Sequence, residues 1–256
     1  VKRNYFNSVK LFSNLIERRG GPLSGHGRRM ADLAKKLGTE MQCSADDVQD
    51  IVVGALLHDI GMVGLPDAIV TRPLPSLSGN EMEQYRRHPE LGEQALMSLD
   101  DMQKVSAMIR SHHERPDGMG FPDRLMREQI PMGARIISVI DYYDDLMSGY
   151  LGPGMSSVDA QTKMRRLRGT QLDSEVLDVF LQMMASKENN NKPIEAVVAV
   201  EQLEPGMVLT KDLVSQEGVL LLAADHAMTP QMIQRIAEYE RRRGLNLRLK
   251  VRVPRR

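Results

Sequence analysis

An apolar run that ends in a histidine and an aspartate constrains this chain more than any other stretch. Residues 51–57 carry no charge and lead directly into His58, Asp59 and Gly61. The run predicts a buried helix, and Gly61 is its predicted stop. A carboxylate at the end of a buried helix needs a compensating partner because an unpaired buried charge is very costly. A metal ion is one such partner, and a salt bridge or a capping hydrogen bond is the alternative.

Composition excludes several classes of protein. The chain has 256 residues and is 41% hydrophobic and 27% charged, which is typical of a soluble globular protein. Thirty-four basic residues balance thirty-four acidic ones, which argues against DNA held by bulk positive charge. No apolar run approaches the ~20 residues of a membrane span, and the first residues lack a signal-peptide pattern. The single cysteine, Cys43, fits a reducing cytoplasm.

Apolar periodicity predicts a series of helices before residue 190 and no strand there. Ser44 with Asp47, and Ser78 with Glu81, have the spacing of helix N-terminal caps. The residues between 115 and 122 are rich in Gly and Pro and predict a loop. The predicted helices cover residues 5–19, 26–38, about 45–59, 78–88, 88–96, 105–112, 133–146, 157–168 and 174–186.

The pattern changes after a polar stretch at residues 186–192, which we interpret as a linker. Alternating residues predict strands at 194–200, 208–214, 219–222 and 245–253, with a hairpin turn at Glu217-Gly218. Thr229 is the predicted cap of a helix that ends at Arg243. The sequence therefore predicts a mainly α protein: a helical bundle at residues 1–187 and a small α+β module at residues 193–256.

Five of the six histidines lie in the helical part, each at a predicted helix end or beside acidic or glycine residues. Helical bundles build metal sites from such scattered side chains. Imidazole and carboxylate ligands suit iron, manganese, nickel or zinc, and five histidines are too many for one ion with an open position. Ordinary caps and core histidines remain the alternative for His88, His112 and His113. The seven candidate ligands are His26, His58, Asp59, His88, His112, His113 and Asp141.

Short motifs in this region resemble those of the HD-GYP branch of the HD phosphohydrolase superfamily. The main ones are His58-Asp59-Ile60-Gly61, His113-Glu114, Asp117-Gly118 and Gly120-Phe121-Pro122. The similarity covers about residues 9–186 in the same motif order, and the C-terminal Pro205-Gly206-Met207 resembles the tails of some members. Further matching positions are His26, His88-Pro89, Gly92, Ile130-Pro131, Ala134-Arg135-Ile136, Asp141 and Asp144.

The resemblance implies an HD-type bundle with two divalent metal ions, usually iron or manganese, with nickel, zinc, magnesium or calcium as other candidates. It implies that the seven candidate residues are the ligands, and that Asp59 bridges the ions and holds the attacking hydroxide, with His58 beside it in the catalytic pair. The substrate or partner loop would comprise Arg115, Asp117, Gly118, Gly120, Phe121 and Pro122.

The implied activity is a phosphodiesterase that hydrolyses cyclic di-GMP to pGpG or GMP. The alternatives are a slow or inactive cyclic di-GMP sensor, and a phosphohydrolase that prefers pGpG or other nucleotides. The resemblance also implies a GGDEF-type diguanylate cyclase as partner and an N-terminal receiver or sensor domain, which would precede Val1. A second copy of the chain in a homodimer is a further predicted partner.

Four departures from the family pattern affect the expected activity. Met62 stands where the family usually has lysine, and Tyr150-Leu151-Gly152-Pro153 lacks the cations of an Arg-Pro-Tyr-Arg-like segment. Pro22 replaces a glutamate that recruits a third ion in some members, so two ions are expected. Phe121 keeps the ring of the motif tyrosine and loses its hydroxyl. The first two changes predict weaker binding, or a changed orientation, of an anionic dinucleotide.

Overall fold

The chain forms two compact units, residues Val1–Ala185 and Ser186–Arg256. The computed structural model describes residues 9, 12–13, 25–191, 194–215, 220–225 and 227–253. Most of the predicted helix at 5–19 lies outside the described residues, although Val9, Phe12 and Ser13 are helical. The predicted turn at Glu217-Gly218, as well as Pro22 and His226, also lies outside them.

The first unit is helical in its described part, as the periodicity predicts. Among the described residues, no helix has the length and apolar character needed to cross a membrane. The helices are α1 (His26–Glu40), α2 (Ala45–Leu57), α3 (Asp67–Val70), α4 (Gly79–Tyr85), α5 (His88–Leu96), α6 (Gln103–Ser111), α7 (Met132–Ser148), α8 (Ser157–Arg165) and α9 (Ser174–Asn191).

Helix α2 lies at the centre of the first unit. All seven residues from Ile51 to Leu57 are buried, and a helix that is apolar on every side must be enclosed by other elements. Helices α1, α6 and α7 pack against it, and α5 packs against α6. Ser44 accepts a hydrogen bond from the Asp47 backbone and begins the helix, as predicted. The C-terminal end of α2 is therefore held inside the bundle.

Helix α2 ends at Leu57, so the prediction that Gly61 stops it is wrong. Gly61 lies inside a short 3₁₀ turn, Ile60–Gly64, that packs against α5. A Cβ atom at Gly61 would lie 2.0 Å from the backbone oxygen of His88. Glycine is required here because the two backbones approach closely, and this approach places Asp59 beside the start of α5.

The second unit contains an antiparallel sheet in the order β1-β5-β2, formed by Ile194–Ala199, Arg248–Val253 and Val208–Leu209. A separate pair joins β3 (Leu213–Val214) to β4 (Leu220–Leu222). Helix α10 (Pro230–Arg243) begins at Thr229, whose side chain accepts from the Met232 backbone.

Two predictions for this region are wrong. The single strand predicted at 208–214 is two strands, because β2 pairs with β5 whereas β3 pairs with β4. The stretch interpreted as a linker is helical as far as Asn191, since α9 continues through it. A polar sequence does not prevent a helix from continuing once earlier turns are packed.

Candidate metal centre

The first unit brings all seven predicted ligand residues together from five elements. His26 begins α1, His58 and Asp59 follow α2, and His88 begins α5. His112 and His113 follow α6, and Asp141 lies within α7. His113 is partly buried and the other six residues are buried. Five chain segments far apart in sequence thus converge on one polar site inside the bundle.

The first group of side chains contains His26, His58, Asp59 and Asp141. The Nε2 atoms of His26 and His58 lie 3.2 Å apart, and each lies 3.5 Å from Oδ1 of Asp141. Oδ2 of Asp59 lies 3.4 Å from the His58 Nε2 atom. One ligand atom from each of His26, His58 and Asp59 lies within 4.8 Å of the others, a spacing at which the three could hold one metal ion.

The second group contains His88, His112 and His113. The Nε2 atoms of His88 and His112 are 3.1 Å apart, and the ring of His113 lies 4.1 Å from that of His112. One ring nitrogen from each of the three residues falls within 4.8 Å of the others. Three imidazoles at this spacing match the histidine ligand sets of protein metal sites.

Asp59 lies between the two groups. Its Oδ2 atom faces His58, whereas its Oδ1 atom lies 3.6 Å from Nε2 of His88. The two oxygens of one carboxylate therefore face different histidine groups, which is the geometry of a bridging carboxylate.

Three of the histidines are oriented by backbone carbonyls three residues earlier. His58, His88 and His112 donate from Nδ1 to Ala55, Tyr85 and Ile109 at 2.9, 2.7 and 2.6 Å. Helix C-terminal ends leave such carbonyls free, and each of these histidines follows a helix end. Because Nδ1 carries the donated proton, Nε2 of a neutral ring presents its lone pair to the site.

His26 is oriented by a carboxylate. Its Nδ1 donates to Oδ2 of Asp144 at 2.7 Å, and Arg29 holds the same carboxylate through two hydrogen bonds of 2.6 and 2.8 Å. Burial raises the pKa of Asp144, but His26 and Arg29 outweigh burial and lower it. An ionised carboxylate behind a histidine is the usual support for a metal-binding imidazole.

The second histidine group is uncharged near neutral pH. Burial lowers the pKa of His88 and, with repulsion from neighbouring histidines, lowers that of His112 further. Burial and the neighbouring His88 lower the pKa of His113 to about 3. Two neutral rings then face each other with bare Nε2 lone pairs only 3.1 Å apart. A cation between them removes this repulsion, so the donor set fits a divalent metal ion.

The first group attracts positive charge. Burial lowers the pKa of His58, but Asp59 and Asp141 outweigh burial and raise it to about 9. Burial raises the pKa of Asp141, and the contacts with His58 and His26 reverse the effect and lower it. A protonated His58 therefore balances the carboxylates when no metal is bound, and a divalent ion would replace that proton.

Asp145 is a site residue that the sequence reasoning missed. It is 9% exposed, and one of its oxygens lies within 4.8 Å of ligand atoms of His26 and Asp141. Burial, followed by the charges of Asp141 and Asp59, raises its pKa. Its position four residues after Asp141 on a predicted helix was the available signal, since such residues share a face. Arg29 and Tyr85, whose hydroxyl lies 3.3 Å from Nε2 of His113, were also missed.

The predicted loop lies beside the second histidine group. The buried carboxylate of Glu114 holds the loop in place, because it accepts hydrogen bonds from the backbone N–H groups of Asp123 and Leu125 at 2.6 and 3.0 Å. Arg115 pairs with Asp117 within the loop. The Phe121 ring stacks on His113 with centroids 4.8 Å apart. The other loop residues named from sequence, Gly118, Gly120 and Pro122, lie in the same segment.

A cavity of about 210 Å³ opens above the site. His113, Asp141 and Asp145 line its inner wall, while Arg86 and Arg115 also border it. Met62 is 1% exposed and packs with Tyr85 and Tyr150 in a small apolar cluster. Met62 therefore supplies packing, and the cations around the cavity come from other parts of the chain.

The fold and site together define a helical domain built around a buried histidine and aspartate cation site. The chain belongs to the HD domain family, whose sequence profile matches residues 10–176. The resemblance drawn from the motifs is thereby confirmed. The two curated relatives described next are phosphodiesterases by name.

One relative is the cyclic di-GMP phosphodiesterase response regulator RpfG of Xanthomonas campestris. It is 35% identical over 191 residues, which are 73% of this chain and 50% of RpfG. Another is the 3'3'-cGAMP-specific phosphodiesterase 3 of Vibrio cholerae, 30% identical over 138 residues, which are 54% of this chain and 30% of the relative. The chain thus spans half or less of the length of these curated relatives.

Among solved structures, an HDG"Y"P protein from Bdellovibrio bacteriovorus has a TM-score of 0.55 and 23% sequence identity. The match covers 63% of this chain and 52% of the other. This likeness supports the fold, and the predicted HD-type helical bundle is confirmed.

Proposed function

We propose that this protein is a metal-dependent phosphodiesterase that hydrolyses cyclic di-GMP to pGpG or GMP. The observation that carries the proposal is the pair of histidine groups with Asp59 between them. Family membership and the phosphodiesterase relatives support the reaction class.

We assign one divalent ion to His26, His58, Asp59 and Asp141, and a second to His88, His112, His113 and Asp59. Imidazole and carboxylate donors without thiolate suit iron, manganese, nickel or zinc, and the family resemblance makes iron or manganese the expected metal. Such an ion pair lowers the pKa of water toward neutrality and neutralises charge on a phosphodiester.

The side chains of the protein perform the remaining tasks. Asp59 fixes the separation of the two groups, and the backbone carbonyls hold the imidazoles so that their Nε2 atoms face inward. Asp144 and Arg29 fix His26. The buried setting excludes bulk water, so interactions with a developing phosphate charge are stronger than in solution. Neither Met62 nor residues 150–153 offers a proton donor of lysine type, so the leaving group must take its proton from another acid.

The 3'3'-cGAMP-specific relative favours a second candidate substrate of the same chemical class. Cyclic di-GMP and 3'3'-cGAMP both contain two phosphodiesters, and a linear dinucleotide such as pGpG is a smaller alternative. A sensor would instead bind the ligand tightly without turnover. One assay distinguishes these functions when turnover and affinity are measured for all three compounds on the same metal-loaded sample.

The experiment uses protein purified without chelator, with its metals counted by elemental analysis. We expect about two ions per chain and turnover of cyclic di-GMP. Asp59→Asn should lose at least roughly a hundredfold in kcat and bind less metal. Asp46→Asn, an exposed change in the first turn of α2, is the matched control and should behave as wild type. Equal turnover by Asp59→Asn would refute the assignment.

The partners remain proposals as well. Because the chain spans half of the RpfG relative, we propose that a receiver or sensor domain regulates the site. The exposed Met119, 74% accessible, lies in the loop that we propose contacts a diguanylate cyclase. We also propose that residues 1–187 form the catalytic domain and that residues 193–256 form a separate module.

A further inference from the structure

A second cavity lies next to the one above the metal centre. The inner cavity is the one lined by His113, Asp141 and Asp145. The outer cavity has a volume of about 440 Å³ and is lined by Arg86, Gly118, Met119, Gly120, Phe121 and Arg124. Arg86, Met119 and Phe121 line both, so the two cavities share a wall. A ligand in the inner cavity therefore lies beside Arg86, which also lines the outer cavity.

The two cavities differ in charge. Three carboxylates, Glu114, Asp141 and Asp145, line the inner cavity. The outer cavity is lined by two arginines and by no acidic residue among those that the structure describes. Arg86 and Arg115 also border the inner cavity, but Arg115 is paired with Asp117, so the carboxylates there outnumber the remaining arginine. The outer cavity, whose only charged lining residues among those described are arginines, suits an anion.

Arg86 and Arg124 are available to a ligand. Across the described ranges, neither has a carboxylate within 4.0 Å, whereas neighbouring arginines are paired. Arg115 is bound to Asp117, and Arg110 is bound to Asp123 at 2.7 Å. An unpaired guanidinium can form two hydrogen bonds to the oxygens of a phosphate.

Both arginines lie close to the second histidine group because they contact or belong to the loop that follows His113. The guanidinium carbon of Arg86 lies 5.6 Å from the centroid of the Phe121 ring, and that ring stacks on His113. Arg124 adopts a φ of 56° and lies between Asp123 and Leu125, whose backbones donate to Glu114, the residue after His113. The outer cavity is therefore held at a fixed side of the second histidine group.

We propose that the outer cavity binds the second, non-reacting phosphodiester of a substrate while the first phosphodiester lies at the metal centre. Arg86 and Arg124 contact that phosphate, and Phe121 positions Arg86. This inference rests on the proposed function and adds the residues that hold the second phosphodiester of the substrate. Arg86 lies outside the family motifs found in the sequence. The proposal assigns it a role in substrate specificity.

The test compares two substrates of the metal-loaded protein. Cyclic di-GMP has two phosphodiesters, and bis(p-nitrophenyl) phosphate has one. We expect Arg86→Gln and Arg124→Gln each to raise KM for cyclic di-GMP by roughly tenfold, because each removes a charged hydrogen-bond donor. KM for the single phosphodiester should change by less than about twofold, and the metal content should not change.

The matched control is Arg87→Gln, an exposed arginine that borders neither cavity and follows Arg86 directly. It should behave as wild type on both substrates. The Kd of a non-hydrolysable cyclic di-GMP analogue, measured by calorimetry on the metal-loaded protein, should rise by a similar factor when Arg86→Gln is introduced. Raised salt should weaken wild-type binding more than binding by the double arginine variant, since screening acts on exposed charges.

Three results would overturn the inference: no change in either variant, an equal change on both substrates, or no binding of cyclic di-GMP to wild type. Failure of the proposed function gives a different pattern. Cyclic di-GMP would then bind in an Arg86-dependent manner without being hydrolysed, which supports the outer cavity and identifies a sensor.

Discussion

At the scale of single residues, the site depends on the direction in which each imidazole faces. Backbone carbonyls at helix ends accept from Nδ1 of His58, His88 and His112, so their Nε2 atoms face one another. Burial lowers the pKa of His88, His112 and His113, so these imidazoles are neutral, which is the state in which they bind metal. Asp59 and Asp141 instead raise the pKa of His58, because their negative charges favour the imidazolium form.

The depressed pKa of His113 predicts acid sensitivity in the metal-free protein. Its folded pKa of about 3 lies below the ordinary value of 6.5, so the unfolded chain binds the proton more readily. His113 therefore contributes stability above pH 6.5 that is lost progressively as the pH falls toward about 3. We expect the melting temperature of chelator-treated wild type to fall more steeply with acidification than that of His113→Asn. Parallel pH profiles would contradict this prediction.

At the scale of elements, the close packing of the 3₁₀ turn against α5 holds the two histidine groups together. Asp59 precedes the turn and His88 begins α5, and the two backbones meet at Gly61. A displacement of this contact would change the distance from Asp59 to His88. The geometry of the candidate metal centre thus depends on Gly61, which is not itself a predicted ligand.

Gly61→Ala should therefore lose both stability and metal. The added Cβ would lie 2.0 Å from the His88 oxygen and 2.6 Å from the Gly92 nitrogen, so backbone must shift. Overpacking of this kind costs about 1–3 kcal/mol, and the shift separates Asp59 from His88. Gly64→Ala in the same turn is the control, since nothing lies within 4 Å of its Cβ position. Thermal unfolding and metal analysis measure both effects, and identical behaviour of the two variants would refute the explanation.

At the scale of the whole molecule, the seven predicted ligand residues all belong to the first compact unit. The second unit has its own core around Val200, Leu209, Ile236 and Val251. Helix α9 extends from the first unit to Asn191, and so a division of the chain should retain this helix.

A chain truncated after Asn191 tests whether the second unit contributes to the site. We expect it to bind the same number of ions as the full chain and to hydrolyse substrate within about twofold of its rate, because no predicted ligand is removed. Circular dichroism controls for folding of the shortened chain. A folded truncation that loses metal or activity would show that the second unit supports the centre.

The sequence by itself predicted most helices of the first unit, the caps at Ser44, Ser78 and Thr229, and the seven positions of the predicted ligands, but it did not predict α3. Local signals sufficed for these features: the apolar run before His58, the spacing of Ser78 and Glu81, and histidines beside helix ends. Such signals depend on neighbours a few residues away. They predicted the wrong end for α2 and a linker where α9 continues, because helix limits also depend on packing.

Only the tertiary structure decided which side chains meet. Asp145 and Arg29 join the site, and Arg86 reaches the loop, through contacts between segments far apart in the chain. The need for glycine at position 61 likewise comes from the nearby backbone of His88, and the turn that contains Gly61 does not by itself impose it. Long-range packing fixes these distances, and periodicity along one segment carries no information about the element that packs against it.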